Sequence, residues 1–212
     1  MKKRLCCFIL AFILIAICQA GCGKKDNGMK KVVLNEVAHS IFYAPQYVAI
    51  EMGYFKDAGI DLVLETGFGA DKTMTALISG NADIGFMGSE STIYAYAEGS
   101  KDYAVNFAGL TQRAGNFLVA REKIDNFSWD MVKGKNVLGG RKGGMPQMVL
   151  EYILKANNID PASDLSIDQS VDFGLTAGAF SGNTEYDFTV EFEPGATSLE
   201  KEGKGYVVAS LG

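Results

Sequence analysis

Three times between residues 32 and 98 the sequence runs from a short apolar stretch, through a loop carrying small or aromatic residues, into a segment of helical spacing. That alternation leaves few architectures open, because strands separated by helix-length segments pair mostly in parallel and are covered on both faces. Residues 32–38 form the first expected strand and residues 39–43 its exit loop. A helix over residues 45–55 follows, with Tyr47, Val48, Glu51 and Met52 at helical spacing and Gly59 capping the turn. Residues 61–65 are a second strand, Gly67-Phe68-Gly69 its exit loop, and residues 71–79 a helix turning Met74, Leu77 and Ile78 inward until Gly80-Asn81 stops it. A third strand at 83–87, a loop at 88–91, a helix at 92–98 and a fourth strand at 103–110 complete the series. In open α/β sheets ligands bind beyond the carboxyl ends of the strands. The loops 39–43, 67–69 and 88–91 therefore share one edge.

After Leu110 the pattern changes. Residues 111–116 are a polar break, 117–120 a strand, and 129–132 a short helix with Ser128 as its N-cap. Residues 136–154 then read as strand, glycine loop, helix. Val137 and Leu138 are buried, four glycines fall between Gly139 and Gly144, and Pro146 sits where a first helical turn tolerates it. Met148, Val149, Tyr152 and Ile153 follow with helical spacing. Arg141 and Lys142 thus stand at a helix N-terminus, which suits an anion or a carbonyl-rich ligand. A surface turn with two solvated cations accounts for them equally well. The loop is not a Walker A motif, since no Gly-Lys-Ser/Thr follows. A second alternating series runs to residue 211: a helix to 157, then strands at 165–167, 186–192 and 205–211, with helices at 175–180 and 194–202 between them. The expected fold is therefore α/β and two-lobed. A first lobe at 32–110 and a second at 118–212 meet at a hinge, 111–117, and each lobe is a mostly parallel sheet with flanking helices. The chain stops on a strand with no closing element, so it is expected to be a fragment.

The N-terminus is a targeting segment. Lys2, Lys3 and Arg4 precede an apolar run over residues 5–18 that is short for a bilayer span. Ala20-Gly21-Cys22-Gly23 matches a bacterial lipobox with Cys22 as the acylated residue, although Gln19 departs from the usual aliphatic residue; the alternative is a plain secretory signal cleaved near Ala20 or Gly21. Residues 1–21 are the expected signal peptide and 22–31 a polar tether. A lipid-modified cysteine carrying more than one chain anchors stably. All four cysteines lie at or before Cys22, so the remaining domain has no disulfide and no thiol chemistry. Residues 1–21 hold three of the 20 cations and none of the 25 acids, so losing them moves the formal charge from −5 to −8. An acidic chain without a basic run argues against nucleic acid.

Ala44-Pro45-Gln46-Tyr47-Val48-Ala49, then Gly53-Tyr54-Phe55 and Gly59-Ile60, resemble the opening of the nitrate/sulfonate/taurine/thiamine-pyrimidine-precursor family of ABC-importer binding proteins. Residues 77–85, Leu-Ile-Ser-Gly-Asn-Ala-Asp-Ile-Gly, resemble the next signature of that family, and Glu193-Pro194 a third; the glycine loop up to Pro146 is similar to one in some members. The resemblance covers nearly all of residues 32–212. It implies a type II periplasmic-binding-protein fold, two α/β domains closing on a ligand, with a C-terminal return to the first lobe that this sequence lacks. By position, the resemblance carries over a provisional cleft of Ser40, Phe42 and Tyr43 from the first loop, Gly67 and Phe68 from the second, and Ser89 and Glu90 from the third. Gln112 and Arg113 come from the hinge, Arg141, Gly143 and Met145 from the second lobe, and Glu193 faces back.

Each of these has a plainer reading. The aromatics Phe42, Tyr43 and Phe68 could stack on a flat ligand or fill the core. Arg141 could grip a sulfonate, phosphate or carboxylate in two places, or sit in solvent. Glu90 would suit a ligand amine or ring N–H, or favour a helix dipole, and Glu193-Pro194 could simply start a helix. His39, the lone histidine, has no cysteine partner and no Gly-x-Ser-x-Gly elbow for a triad. Carboxylate spacing offers no metal site, and no cofactor is expected. The resemblance implies a lipid-anchored, exported solute-binding protein, no enzyme, whose partners are a small molecule, an ABC permease and its ATPase, and the outer face of the cell membrane. Alternatives are a thiamine-pyrimidine-precursor synthase of the same fold, or a sensory binding domain. The residues leave a sulfonate-like anion and a flat ring equally open as cargo.

Overall fold

β1 (Lys30–Glu36) runs from exposed to buried, so that Leu34, Asn35 and Glu36 at its carboxyl end are all enclosed. The structure, a computed structural model, describes residues 28–172 and 174–212; the expected signal peptide, Cys22 and most of the expected tether lie outside the described residues. After β1 a tight 3-10 turn (Ile41–Tyr43) is capped by Ser40, whose Oγ accepts from the Phe42 N–H at 3.3 Å. α1 (Ala44–Glu51) starts on Pro45, and Gly53, with φ 79°, turns the chain into α2 (Tyr54–Asp57). β2 (Ile60–Thr66), α3 (Ala70–Ile78), β3 (Ile84–Phe86) and α4 (Glu90–Ala97) follow. The strands order β2-β1-β3, and β1 runs parallel to β3 with Leu34 opposite Ile84 and Glu36 opposite Phe86.

The fourth strand expected over residues 103–110 does not form. Between Ala97 and Asn116 the described backbone has no helix or strand, and Val105 and Phe107 are 75% and 78% exposed. Apolar alternation specifies a strand only where one face gains a cover and a neighbour supplies the ladder. β3 ends its sheet among the described residues, and this segment does not pair with it.

The second sheet is built from β4 (Asn116–Ala120), β5 (Asn136–Leu138), β6 (Ser166–Asp168), β7 (Phe188–Phe192) and β8 (Tyr206–Ser210), ordered β6-β5-β7-β4-β8. β5 is parallel to β6 and β7, whereas β4 is antiparallel to β7 and β8. The sheet is therefore mixed, not mostly parallel. A parallel neighbour needs a crossover within the same sheet. β4 enters from outside the sheet, directly after residues 98–115, and is free to run the other way. A 3-10 turn (Trp129–Val132) has Ser128 at its N-cap position without a side-chain capping bond. Three helices complete this half: α5 (Met145–Ala156), α6 (Thr176–Gly182) and α7 (Gly195–Lys201).

Leu118, Val137, Leu150, Leu154, Phe188 and Val190 pack on one face of the sheet, and Val119, Leu138, Phe180, Ala196 and Leu199 on the other. α5 turns Leu150 and Leu154 fully inward while Tyr152 is left 72% exposed. Each enclosed leucine contributes about 1.5–3 kcal/mol. That burial holds the helix N-terminus, and with it the glycine loop, in place.

Candidate functional site

Glu36 anchors the loop that follows β1. Its side chain is fully enclosed and accepts from Gln46 Nε2 at 2.8 Å, Tyr47 Oη at 2.8 Å and Thr66 Oγ1 at 3.3 Å. His39 Nδ1 lies 2.9 Å from Oε1, the oxygen that also accepts from Thr66, while the imidazole itself is mostly in solvent. Tyr47 also accepts from the Ser40 N–H at 3.0 Å. Burial and the hydrogen bond to Glu36 push the Tyr47 phenol up to about 12, so it remains a donor at any ordinary pH.

The two halves of the molecule meet over a cavity of 40 Å³ lined by Val37, Tyr43, Gly69, Ala70, Gly88 and Glu90 on one side. Arg141, Lys142, Gly144, Met145, Pro146 and Phe192 line the other. An open groove of 1210 Å³ adjoins β3 and residues 102–114, and shares Gly88, Glu90 and Met145 with the cavity. Ring contacts also cross the cleft: Phe42 lies 5.4 Å from Phe192 and 5.4 Å from Tyr43, which in turn packs 4.4 Å from Phe86. Gly115 is required beside this stack, because a Cβ there would stand 2.2 Å from the Phe42 ring. Burial raises the Tyr43 phenol above its ordinary range.

Arg141 spans the cleft. Its Nε and Nη2 donate to the Asp71 carboxylate at 3.1 and 2.8 Å, and Nη1 pairs with Asp172. Lys72 approaches Asp172 at 3.6 Å. Asp71 begins α3, so this bidentate pair ties the first sheet's helix to the second sheet's glycine loop. The guanidinium beside Asp71 holds that carboxyl below its usual range. The clasp therefore contributes above the ordinary aspartate pKa and is lost as pH falls through the lowered one. Both partners are partly solvated, so Arg141→Ala should cost about 1 kcal/mol or less of global stability. Its expected larger effect is on shape: small-angle X-ray scattering should show a larger radius of gyration than for the wild type. An unchanged radius would mean the clasp does not hold the lobes.

Glu90 is 4% exposed at the start of α4. Burial raises its pKa, opposed by hydrogen bonds from its own backbone and from that of Met145 across the cleft. Its Oε1 has no hydrogen-bond partner, and the same is true of both amide atoms of the fully buried Asn116. Asn116 is the register partner of Phe192.

Of the thirteen residues expected to form the cleft, Tyr43, Glu90, Arg141 and Met145 line the small cavity, and Ser89, Gln112 and Arg113 join Glu90 and Met145 along the groove. Phe42 stands against the cleft through Phe192. The others serve the backbone. Ser40 caps its turn. Gly67 is pressed against Thr73 and Asn35, where a Cβ would meet oxygens at 2.6 and 2.7 Å. Phe68 is 55% exposed with φ 59°. The Gly143 N–H donates to Gln147 Oε1 at 2.6 Å. Glu193 caps α7 by accepting from the Thr197 N–H at 3.1 Å and hydroxyl at 2.9 Å. Glu36, Asp71, Asn116, Asp172 and Phe192 were not in that set. Glu36 had a signal, a charge at the end of an apolar strand pattern; Asp71 and Asp172 had none that separates them from solvated acids. Among the described residues no group of three His, Cys, Asp or Glu side chains is placed to hold a metal ion.

A family model described as NMT1/THI5 like matches residues 41–190. The Bacillus subtilis (strain 168) protein YtlA is 50% identical over 201 residues, which are 95% of this chain and 59% of YtlA. The chain thus spans about three fifths of that relative. Among solved structures, the alkanesulfonate-binding protein SsuA from Xanthomonas axonopodis pv. citri, bound to MOPS, superposes with a TM-score of 0.68 at 16% identity, over 86% of this chain and 60% of SsuA. The periplasmic nitrate-binding protein NrtA from Synechocystis PCC 6803 gives 0.60 at 18% identity, over 84% of this chain and 51% of NrtA.

Proposed function

The chain belongs to the NMT1/THI5-like family and has the type II periplasmic-binding-protein fold of its solved neighbours, and on that premise we propose that it is the solute-binding component of an ABC importer. A small molecule enters between a lobe at 32–110 and a lobe at 118–212, the crossover at 111–117 flexes, and the closed form docks on the permease. Closure favours the closed form only by as much as the solute binds it better. The N-terminal segment exports the protein, and Cys22 tethers it by lipid to the outer face of the membrane. The carrying observation is that Arg141 and Phe42 each bridge the two halves over a cavity holding a buried carboxylate oxygen without a partner. No bond is made or broken in this reading. A synthase is less well supported, because His39 is engaged by Glu36 and all four cysteines precede Gly23.

The test uses the soluble protein with Cys22 replaced, melted with and without the small-molecule fraction of a bacterial extract. A solute at about a hundred times its Kd adds about 2.7 kcal/mol of stability. The melting temperature should rise and the radius of gyration fall together. An extract that changes neither would remove the solute-binding reading.

A further inference from the structure

We infer that the cleft is built for a solute that brings a hydrogen-bond donor, a protonated amine or a ring N–H, to Glu90 Oε1, and that Arg141 closes the lobes instead of gripping an anion. This rests on the solute-binding reading above. An enclosed carboxylate oxygen without a donor is costly to maintain, and here it is held in place. Met145 lines the same space as this carboxylate. Gly88 leaves space that any side chain would take, since a Cβ there would lie 2.0 Å from Oε2. The unpartnered Oε1 is thus a product of the surrounding packing, at the point shared by the cavity and the open groove.

The cation that would compete for this role is already committed. Arg141 faces two carboxylates, Asp71 and Asp172, and an incoming sulfonate or nitrate would have to displace one of them. Lys142, the other cation on the loop, borders the cavity but is exposed to solvent. A solute with a donor satisfies Glu90 Oε1; a plain anion does not.

Three probes on one ring separate the possibilities: 4-(aminomethyl)pyridine, the near-isosteric 4-ethylpyridine, and pyridine-4-sulfonate, titrated calorimetrically into the wild type and Glu90→Gln. The wild type should prefer the amine over the ethyl compound by about tenfold or more, as expected for a hydrogen bond to a charged group. Glu90→Gln should lose that preference while its unliganded melting temperature shows that it folds. The ring preference of the wild type stands as a test even if the variant does not fold. Tighter binding of the sulfonate, equal binding of amine and ethyl compounds, or no binding of the amine would each overturn the inference. If the extract still closes the lobes in that case, the solute-binding reading survives alone.

Discussion

Glu36→Ala should lower the unfolding free energy by about 3 kcal/mol, the loss expected when one partner of a buried charged network is removed. The carboxylate accepts from Gln46, Tyr47 and Thr66 and lies beside His39. Truncation leaves the buried Gln46 amide and the half-buried Tyr47 hydroxyl without this acceptor. His39, mostly solvated, loses little. The consequence reaches the cleft, because Tyr47 holds the Ser40 N–H and the same loop carries Phe42 and Tyr43. Solute affinity should therefore fall by more than the stability loss alone produces. Urea unfolding checks the first part and calorimetry the second. A stability loss below about 1 kcal/mol would mean that water replaces the carboxylate, and that the network does not fix the loop.

The second large effect concerns Glu191, 3% exposed on β7, which accepts from Thr189 Oγ1 at 2.7 Å and Thr176 Oγ1 at 2.9 Å. Burial raises its pKa to about 7, more than the two hydroxyls lower it. An acid whose folded pKa lies above its unfolded one binds its proton more tightly when folded. Its charged form therefore destabilises the fold, beginning as pH rises past the unfolded value near 4.5 and reaching full size above about 7. The full penalty is about 3 kcal/mol. Glu191→Gln keeps the shape and offers the threonine hydroxyls an amide. Its stability relative to the wild type should be near zero at about pH 4 and should rise by about 3 kcal/mol by about pH 8. Melting both proteins across that range is the measurement. A difference that stays flat with pH would show Glu191 to be ionised at no cost, held by its hydroxyl partners.

Much of the fold follows from local pattern. The strands ending at Glu36, Phe86, Leu138 and Phe192 overlap the expected apolar runs, and the proline at the start of α5 sits where its missing N–H is harmless. Pattern failed where a neighbour decides. Residues 103–110 alternate like a strand but have no partner in the sheet. Helical spacing picked Met148, Val149, Tyr152 and Ile153; Val149 and Ile153 pack against the core, but Met148 and Tyr152 face out, and the sheet under α5 encloses Leu150 and Leu154. The direction of β4 was equally invisible, because antiparallel and parallel strands of five residues look alike in sequence.

The cleft divides in the same way. Loop positions after strands are a consequence of topology, so Tyr43, Ser89 and Glu90 could be found from the sequence alone. Which charges remain available could not. Arg141 is a loop arginine in the sequence, and only folding brings Asp71, seventy residues earlier in the chain, to within 2.8 Å of it. The sequence by itself determined the alternation of strands and helices and the glycine loop, because periodicity, composition and backbone freedom are local properties. Tertiary structure alone decided that the arginine is neutralised and that Glu90 keeps an unpartnered oxygen. Pairing and burial depend on what other segments bring to the same place.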